Sequence, residues 1–132
     1  MEYKGTILVA DDEFPVRCSF SEILKQYFPE YQVREYEDGN KLIEGLNGPL
    51  EGICMVVVDQ KMRNTPTGSE IISNYARKPG FGSIPFVLHY GGYPEIGENA
   101  LENGARAVLK KPANVEDIVS CVESLIGEKR TA

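Results

Sequence analysis

Apolar residues in this chain fall into short continuous runs that alternate with longer stretches of helical spacing. Thr6-Ile7-Leu8-Val9-Ala10 is nearly all apolar and ends in acids, the pattern of a strand covered on both faces. From Phe14 to Phe28, the residues Val16, Phe20, Ile23, Leu24 and Tyr27 recur at helical spacing, and Pro29 stops the helix. Gln32 to Tyr36 predicts a second, more polar strand. Past the turn at Asp38-Gly39, a helix carries Leu42, Ile43 and Leu46 on one face and ends at Gly48-Pro49.

The second half repeats the alternation. Ile53 to Val58 is the clearest strand, with Asp59 directly at its C-terminal end. A polar loop leads to Gly68 and a helix bearing Ile71, Ile72 and Tyr75, broken at Lys78-Pro79-Gly80. Ile84 to Leu88 predicts a fourth strand. Gly91-Gly92 and Pro94 precede a helix with Ile96, Ala100 and Leu101, and Asn103-Gly104 stops it. Ala107-Val108-Leu109 predicts a short fifth strand. The last helix runs from about Val115 to Ile126 with Ile118, Val119, Val122, Leu125 and Ile126 on its apolar face, and Asn114 with Asp117 resembles a capping box.

Strand-helix alternation of this kind demands right-handed crossovers and a parallel sheet with helices on both sides. The expected fold is a doubly wound α/β domain with a five-stranded parallel sheet of flavodoxin-like order 2-1-3-4-5. Residues 1–132 read as a single domain with no second, output domain and no internal repeat or linker.

Composition narrows the function classes. A chain of 132 residues with 42% hydrophobic and 26% charged residues has the make-up of an ordinary globular domain. No apolar run approaches the roughly 20 residues of a membrane span, and no basic signal segment opens the chain, so a cytoplasmic location and no membrane partner are expected. The net charge of -6 argues against binding nucleic acid through this domain. Cys18, Cys54 and Cys121 are odd in number and widely spaced, which suits buried reduced thiols better than a disulfide or a metal site.

Chemistry in this fold sits at the carboxyl ends of the strands, where strand order reverses. Strands 1 and 3 flank that point and end in Asp11, Asp12 and Asp59. Three converging carboxylates repel one another, and a cation relieves the repulsion. Oxygen-only ligands favour Mg2+ or another hard divalent ion. The plainer alternative makes these acids solvated loop residues, with Asp12 or Glu13 favouring the first helix N-terminus. Lys111, just after strand 5 and followed by Pro112, reaches the same edge and could stabilise phosphoryl oxygens, whereas Lys110 points away.

An acid pair, a lone acid after a buried strand and a late Lys-Pro together resemble the receiver domain of two-component response regulators. The matching segments are Ile7 to Glu13, Tyr36-Glu37-Asp38-Gly39, Val56-Val57-Val58-Asp59 with Met62 three residues on, Gly104-Ala105, and Lys111-Pro112. The resemblance spans essentially the whole chain and rests on order and spacing rather than on any one segment. It implies that Asp59 is the phosphoacceptor and that Asp12 and Asp59 bind Mg2+ directly. It further implies that Asp11 acts through water, that the backbone carbonyl of Lys61 completes the protein ligands, and that Lys111 contacts the phosphoryl group. The implied partners are a sensor histidine kinase or phosphotransfer protein as phosphodonor and a downstream protein or output domain, met through helix 4, strand 5 and helix 5 at roughly residues 95–123. A homodimer is compatible with this reading. The resemblance implies a signalling switch rather than an enzyme, with only self-phosphorylation and self-dephosphorylation as chemistry.

Two features depart from the family pattern. Its Ser or Thr at the end of strand 4 is absent: counting from Pro85 puts Tyr90 there, and counting back from Gly104 or Lys111 puts His89 there. The usual aromatic residue three before the Lys is Val108. A large residue on strand 4 facing a small one on strand 5 suggests that Tyr90 fills the volume a switch aromatic would enter, or else a neutral exchange of core volume. His89 is then either a phosphoryl ligand or a core histidine. In the loop after Asp59, Arg63 stands where the family has Pro, and Gly68 comes one residue late.

The leading expectation is a phosphorylatable receiver. The alternative is a degenerate receiver acting as a phosphorylation-independent interaction module. A haloacid-type phosphatase would want an Asp two residues after the nucleophile, where Lys61 stands, and a flavin carrier would not place Asp11-Asp12-Glu13 in a phosphate loop.

Overall fold

Three runs buried along their whole length, Gly5–Ala10, Ile53–Asp59 and Phe86–Tyr90, form the centre of one parallel sheet, and the less buried Tyr31–Tyr36 and Ala107–Lys110 form its edges. The computed structural model describes the backbone of residues 2–131 and the side chains of residues 2–126. Its strands are β1 (Gly5–Ala10), β2 (Tyr31–Tyr36), β3 (Ile53–Asp59), β4 (Phe86–Tyr90) and β5 (Ala107–Lys110). They alternate with helices α1 (Phe14–Tyr27), α2 (Gly39–Leu46), α3 (Gly68–Tyr75), α4 (Pro94–Glu102) and α5 (Val115–Thr131). The sheet order is β2-β1-β3-β4-β5, as the sequence predicts.

Alternation along each strand divides the core in two. Leu8, Ala10, Val56, Val58, Phe86, Leu88 and Tyr90 face α2, α3 and α4. Ile7, Val9, Met55, Val57, Val87 and Leu109 face Phe20 and Leu24 of α1 and Ile118, Val122, Leu125 and Ile126 of α5. Asp11, Asp59 and His89 continue the second parity at the carboxyl end of the sheet. Burying each large aliphatic side chain of these layers is worth about 1.5–3 kcal/mol.

Strand 4 begins two residues later than predicted. Ile84 and Pro85 are apolar, and Ile84 is buried, but the Ile84 N–H is taken by the Phe81 carbonyl in a turn. The ladder with β3 opens at Val56↔Phe86 and runs to Asp59↔His89. Two residues expected on apolar helix faces, Tyr27 and Leu101, lie about half exposed. Of the three cysteines only Cys54 is buried, and none of the three is in a disulfide.

Local signals set the helix starts near the site. Thr67 and Glu70 close a reciprocal capping box on α3, and Asp38 accepts from the Lys41 N–H at the start of α2. At α5 the Asn114 side chain accepts from the Asp117 N–H at 2.8 Å. Gly68 lets α3 start against the end of β3: a Cβ there would sit 2.6 Å from the Asp59 carbonyl oxygen and 2.7 Å from Leu88 Cδ1. In the loop before α3, Asn64 adopts a left-handed φ of 56°.

Candidate functional site

Each site residue owes its position to a strand end. β1 delivers Asp11, β3 ends on Asp59, β4 carries His89 beside it, and the chain leaving β5 presents Lys111. Asp11 and Asp59 are only 3% and 2% exposed, although both are carboxylates. Asp11 Oδ1 accepts from the Glu13 N–H at 2.9 Å, and its backbone carbonyl accepts from Arg17, which also pairs with Glu35. Lys111 Nζ lies 2.6 Å from Asp59 Oδ1. That contact is an ion pair rather than an aligned hydrogen bond, for Oδ1 has no well-directed donor.

The titration behaviour follows from this burial. Loss of water pushes the Asp11 carboxyl up to about 6, with the Glu13 N–H opposing and the Asp59 charge adding to the rise. Asp59 is likewise raised by burial, against the pull of Lys111. Burial alone would lower Lys111, but the Asp59 contact outweighs it and holds the ammonium charged. His89 is pushed down to about 4 by burial and by the neighbouring Lys111 charge, so its imidazole is neutral at physiological pH. All three charged groups shift toward retaining protons. The site is short of positive charge.

Asp12 stands slightly apart. Its Oδ2 accepts from the Arg63 N–H at 3.0 Å, and it lines an open cleft with Glu13, Lys61, Met62, Arg63 and Thr67. Asp12 and Lys61 thus flank the same loop, while one oxygen each from Asp11 and Asp59 and one ring nitrogen of His89 lie within 4.8 Å of one another. Lys110 pairs with Tyr90 at the end of the sheet and is exposed.

The structure separates the two candidates for the end of strand 4. His89, not Tyr90, pairs with Asp59. The Tyr90 side chain points through the opposite face of the sheet, packed with Leu88, Ala100 and Val108. A Cβ at Gly97 of α4 would come within 2.6 Å of Tyr90 Oη, so the ring lies directly on that helix. The placement of Tyr90 at the site, taken from the Pro85 count, is corrected: the strand starts at Phe86, and a one-residue slip exchanges faces. Tyr90 and Val108 do share a face, two residues apart in the β4–β5 register, in keeping with exchanged volumes.

Gln60 was not evident in the sequence. Its N–H donates to the His89 carbonyl, its own carbonyl accepts from the Gly68 N–H, and its Oε1 accepts from Ser69 at both N–H and hydroxyl. It ties the residue after Asp59 to α3 and to β4, and no local sequence signal marks such a role. Below His89 lies a cavity of about 360 Å³ lined by Val16, Ser19, Phe20, Ile118 and the Lys111-Pro112-Ala113 turn.

No family model matches the chain. It is 28% identical over 121 residues to the transcriptional regulatory protein UhpA of Salmonella typhimurium, a match covering 91% of this chain and 58% of that protein. The chain therefore spans a little over half the length of that curated relative. Among solved structures it superposes on a response regulator receiver domain protein of Clostridium thermocellum with a TM-score of 0.84 at 20% identity, covering 96% of this chain and 98% of that one. A CheY-like receiver domain protein of Methanospirillum hungatei gives 0.81 at 22% identity, covering 96% and 97%. The chain therefore has the fold of response-regulator receiver domains.

Proposed function

We propose that the chain is a phosphoryl-accepting receiver of a two-component system, with Asp59 as the acceptor. The observation that carries this reading is the buried Asp59 carboxylate at the end of β3, held 2.6 Å from the Lys111 ammonium and beside a second buried acid, Asp11. Nothing in packing calls for two buried carboxylates here, and each costs desolvation energy.

In the proposed reaction an Asp59 oxygen attacks phosphorus in line, the bond from phosphorus to the donor's imidazole nitrogen breaks, and an acyl phosphate forms. The donor imidazole departs with the bond's electron pair and takes up a proton. Lys111 lies where it can pass from the carboxylate to the incoming phosphoryl oxygens without crossing the site. Gln60 and Gly68 hold the Asp59 backbone in place while charge accumulates on its side chain. Hydrolysis of the acyl phosphate resets the switch, which makes the domain a self-modifying signal carrier rather than an enzyme acting on an outside substrate.

A divalent cation suits the donors. Asp11, Asp12 and Asp59 would supply oxygen ligands in a site where acids outnumber the one ammonium of Lys111, and the Lys61 carbonyl follows in the same loop. When bound, Mg2+ supplies charge neutralisation to nucleophile and phosphoryl group together. The proposed donor is a histidine kinase or phosphotransfer protein, and the new charge of about -1.5 to -2 would bias contacts with a downstream protein or attached output domain. Among the described residues no helix is long and apolar enough to cross a membrane.

His89 where the family has a hydroxyl favours a second reading, an interaction module that works without phosphate. Intact mass after incubation with Mg2+ and a small phosphodonor separates the two. One phosphoryl adduct in the wild-type chain and none in Asp59→Asn is the expected result. An unmodified wild-type chain would leave the interaction module as the function.

A further inference from the structure

We infer that Asp11, Asp59 and His89 form a binding site for a first-row transition-metal dication of the Zn2+ class, chemically distinct from a Mg2+ site because it includes a nitrogen ligand. Three observations converge on it. One oxygen from each acid and one His89 ring nitrogen already lie within 4.8 Å of one another. His89 is 6% exposed, and its Nε2 is sealed from solvent with no hydrogen-bond partner. It is the only histidine in the chain, and among the described residues it stands where the two buried carboxylates meet.

Packing explains the ring but not the nitrogen. The imidazole lies 5.4 Å from the Phe20 ring, an ordinary aromatic contact in the core layer beneath the site. A leucine would fill that layer without an unsatisfied polar atom, and an orphaned buried donor or acceptor costs about 1–3 kcal/mol. A metal ion bound through Nε2 would satisfy that nitrogen and both acids in one step.

Ligand chemistry selects the ion. Imidazole suits Zn2+, Co2+ and Ni2+, whereas Mg2+ keeps to oxygen and retains several waters. Tetrahedral zinc with bonds of about 2.0–2.1 Å needs ligand atoms about 3.3 Å apart, so the three groups close by no more than about 1.5 Å. Solvent can supply the fourth position, for the cavity of about 360 Å³ next to His89 opens toward α1. The Lys111 ammonium is the natural competitor. Its side chain is 27% exposed, and it can swing outward when a dication takes its place on Asp59.

Binding of such an ion does not depend on phosphorylation. Only its consequence rests on the proposed function: an ion held by Asp59 withholds the nucleophile, so metal and phosphoryl group compete for one carboxylate.

The test is a Co2+ titration of the tag-free full chain, without Mg2+ or phosphodonor, followed by visible absorption and by proton NMR. The expected result is one Co2+ per chain, displaced by Zn2+, with a hyperfine-shifted imidazole resonance that can come only from His89. The variant His89→Thr should lose affinity at least about tenfold while keeping the native amide spectrum. Equal Co2+ affinity in the two proteins overturns the inference, and so does a wild-type complex without the shifted imidazole signal. If His89→Thr does not fold, that wild-type resonance decides alone. Failure of the phosphodonor experiment together with a positive Co2+ result would remove the switch and keep the metal site, so the two claims fail separately.

Discussion

The two faces of the sheet use neighbouring residues for opposite ends. On the α1/α5 face, β1, β3 and β4 deliver Asp11, Asp59 and His89 to one buried crevice whose acids hold protons against their ordinary tendency. On the α2/α3/α4 face, the very next residue of β4, Tyr90, lies against Gly97 and shares its layer with Val108. One face is built for charge and the other for shape. The lesson is that adjacent residues of one strand serve a charged crevice and a packed apolar layer, and in that layer the bulk lies on β4 at Tyr90 and the smaller side chain on β5 at Val108.

The charged face gives the largest expected effect. In the metal-free protein Asp11 titrates near 3.8 when unfolded and about 6 when folded. Below pH 4 both states are protonated there and nothing is lost. Between pH 4 and 6 the unfolded chain releases its proton first, so stability falls as pH rises, and the loss is complete above pH 6. Its ceiling is on the order of 3 kcal/mol. Denaturant melts of wild type and Asp11→Asn should therefore diverge with rising pH, with the variant the more stable at pH 7.5. Parallel curves from pH 4 to 7.5 would show that Asp11 is not buried as described.

The junction between the faces is next. Gly68→Ala drives a Cβ into the Asp59 carbonyl and Leu88, and a cost of about 1–3 kcal/mol is expected in a urea melt. A neutral outcome would mean that α3 can retreat from β3.

On the shape face, Gly97→Ala sets about 1 kcal/mol of helix propensity against collision with the Tyr90 ring. Alone it should destabilise; in a Tyr90→Leu background the same change should stabilise. The same sign in both backgrounds would contradict the packing of Tyr90 on α4. Smallest of all, Thr67→Ala removes the capping box of α3 and should cost about 1 kcal/mol without altering metal or phosphodonor chemistry.

Much of this comparison could be read from the chain. Continuous apolar runs ending in Asp11 and Asp59 placed β1 and β3 and, through the fold they imply, the crevice between them. Lys111 followed from its distance to the last strand. The identity of the residue beside Asp59 could not be read so surely, since Ile84-Pro85-Phe86-Val87-Leu88 is apolar throughout and shows no internal start. Only the pairing Val56↔Phe86, fixed in space, chooses the register that brings His89 rather than Tyr90 to the acids. Tyr27 and Leu101 misled for a related reason: helical spacing predicts a stripe, but its edges are set by how far the neighbouring strands extend. The capping box at Thr67-Gly68-Ser69-Glu70 is a local sequence pattern, whereas the several bonds of Gln60 depend on contacts no local pattern encodes.

The most direct test of the division between faces is an amide NMR comparison of the Mg2+-loaded chain with and without beryllofluoride, which mimics a phosphoryl group. Large shifts are expected at Asp11, Asp59, Gln60, His89 and Lys111, with the contacts of the Tyr90 ring on Gly97 retained. Unchanged amides around Asp59 under these conditions would contradict that division.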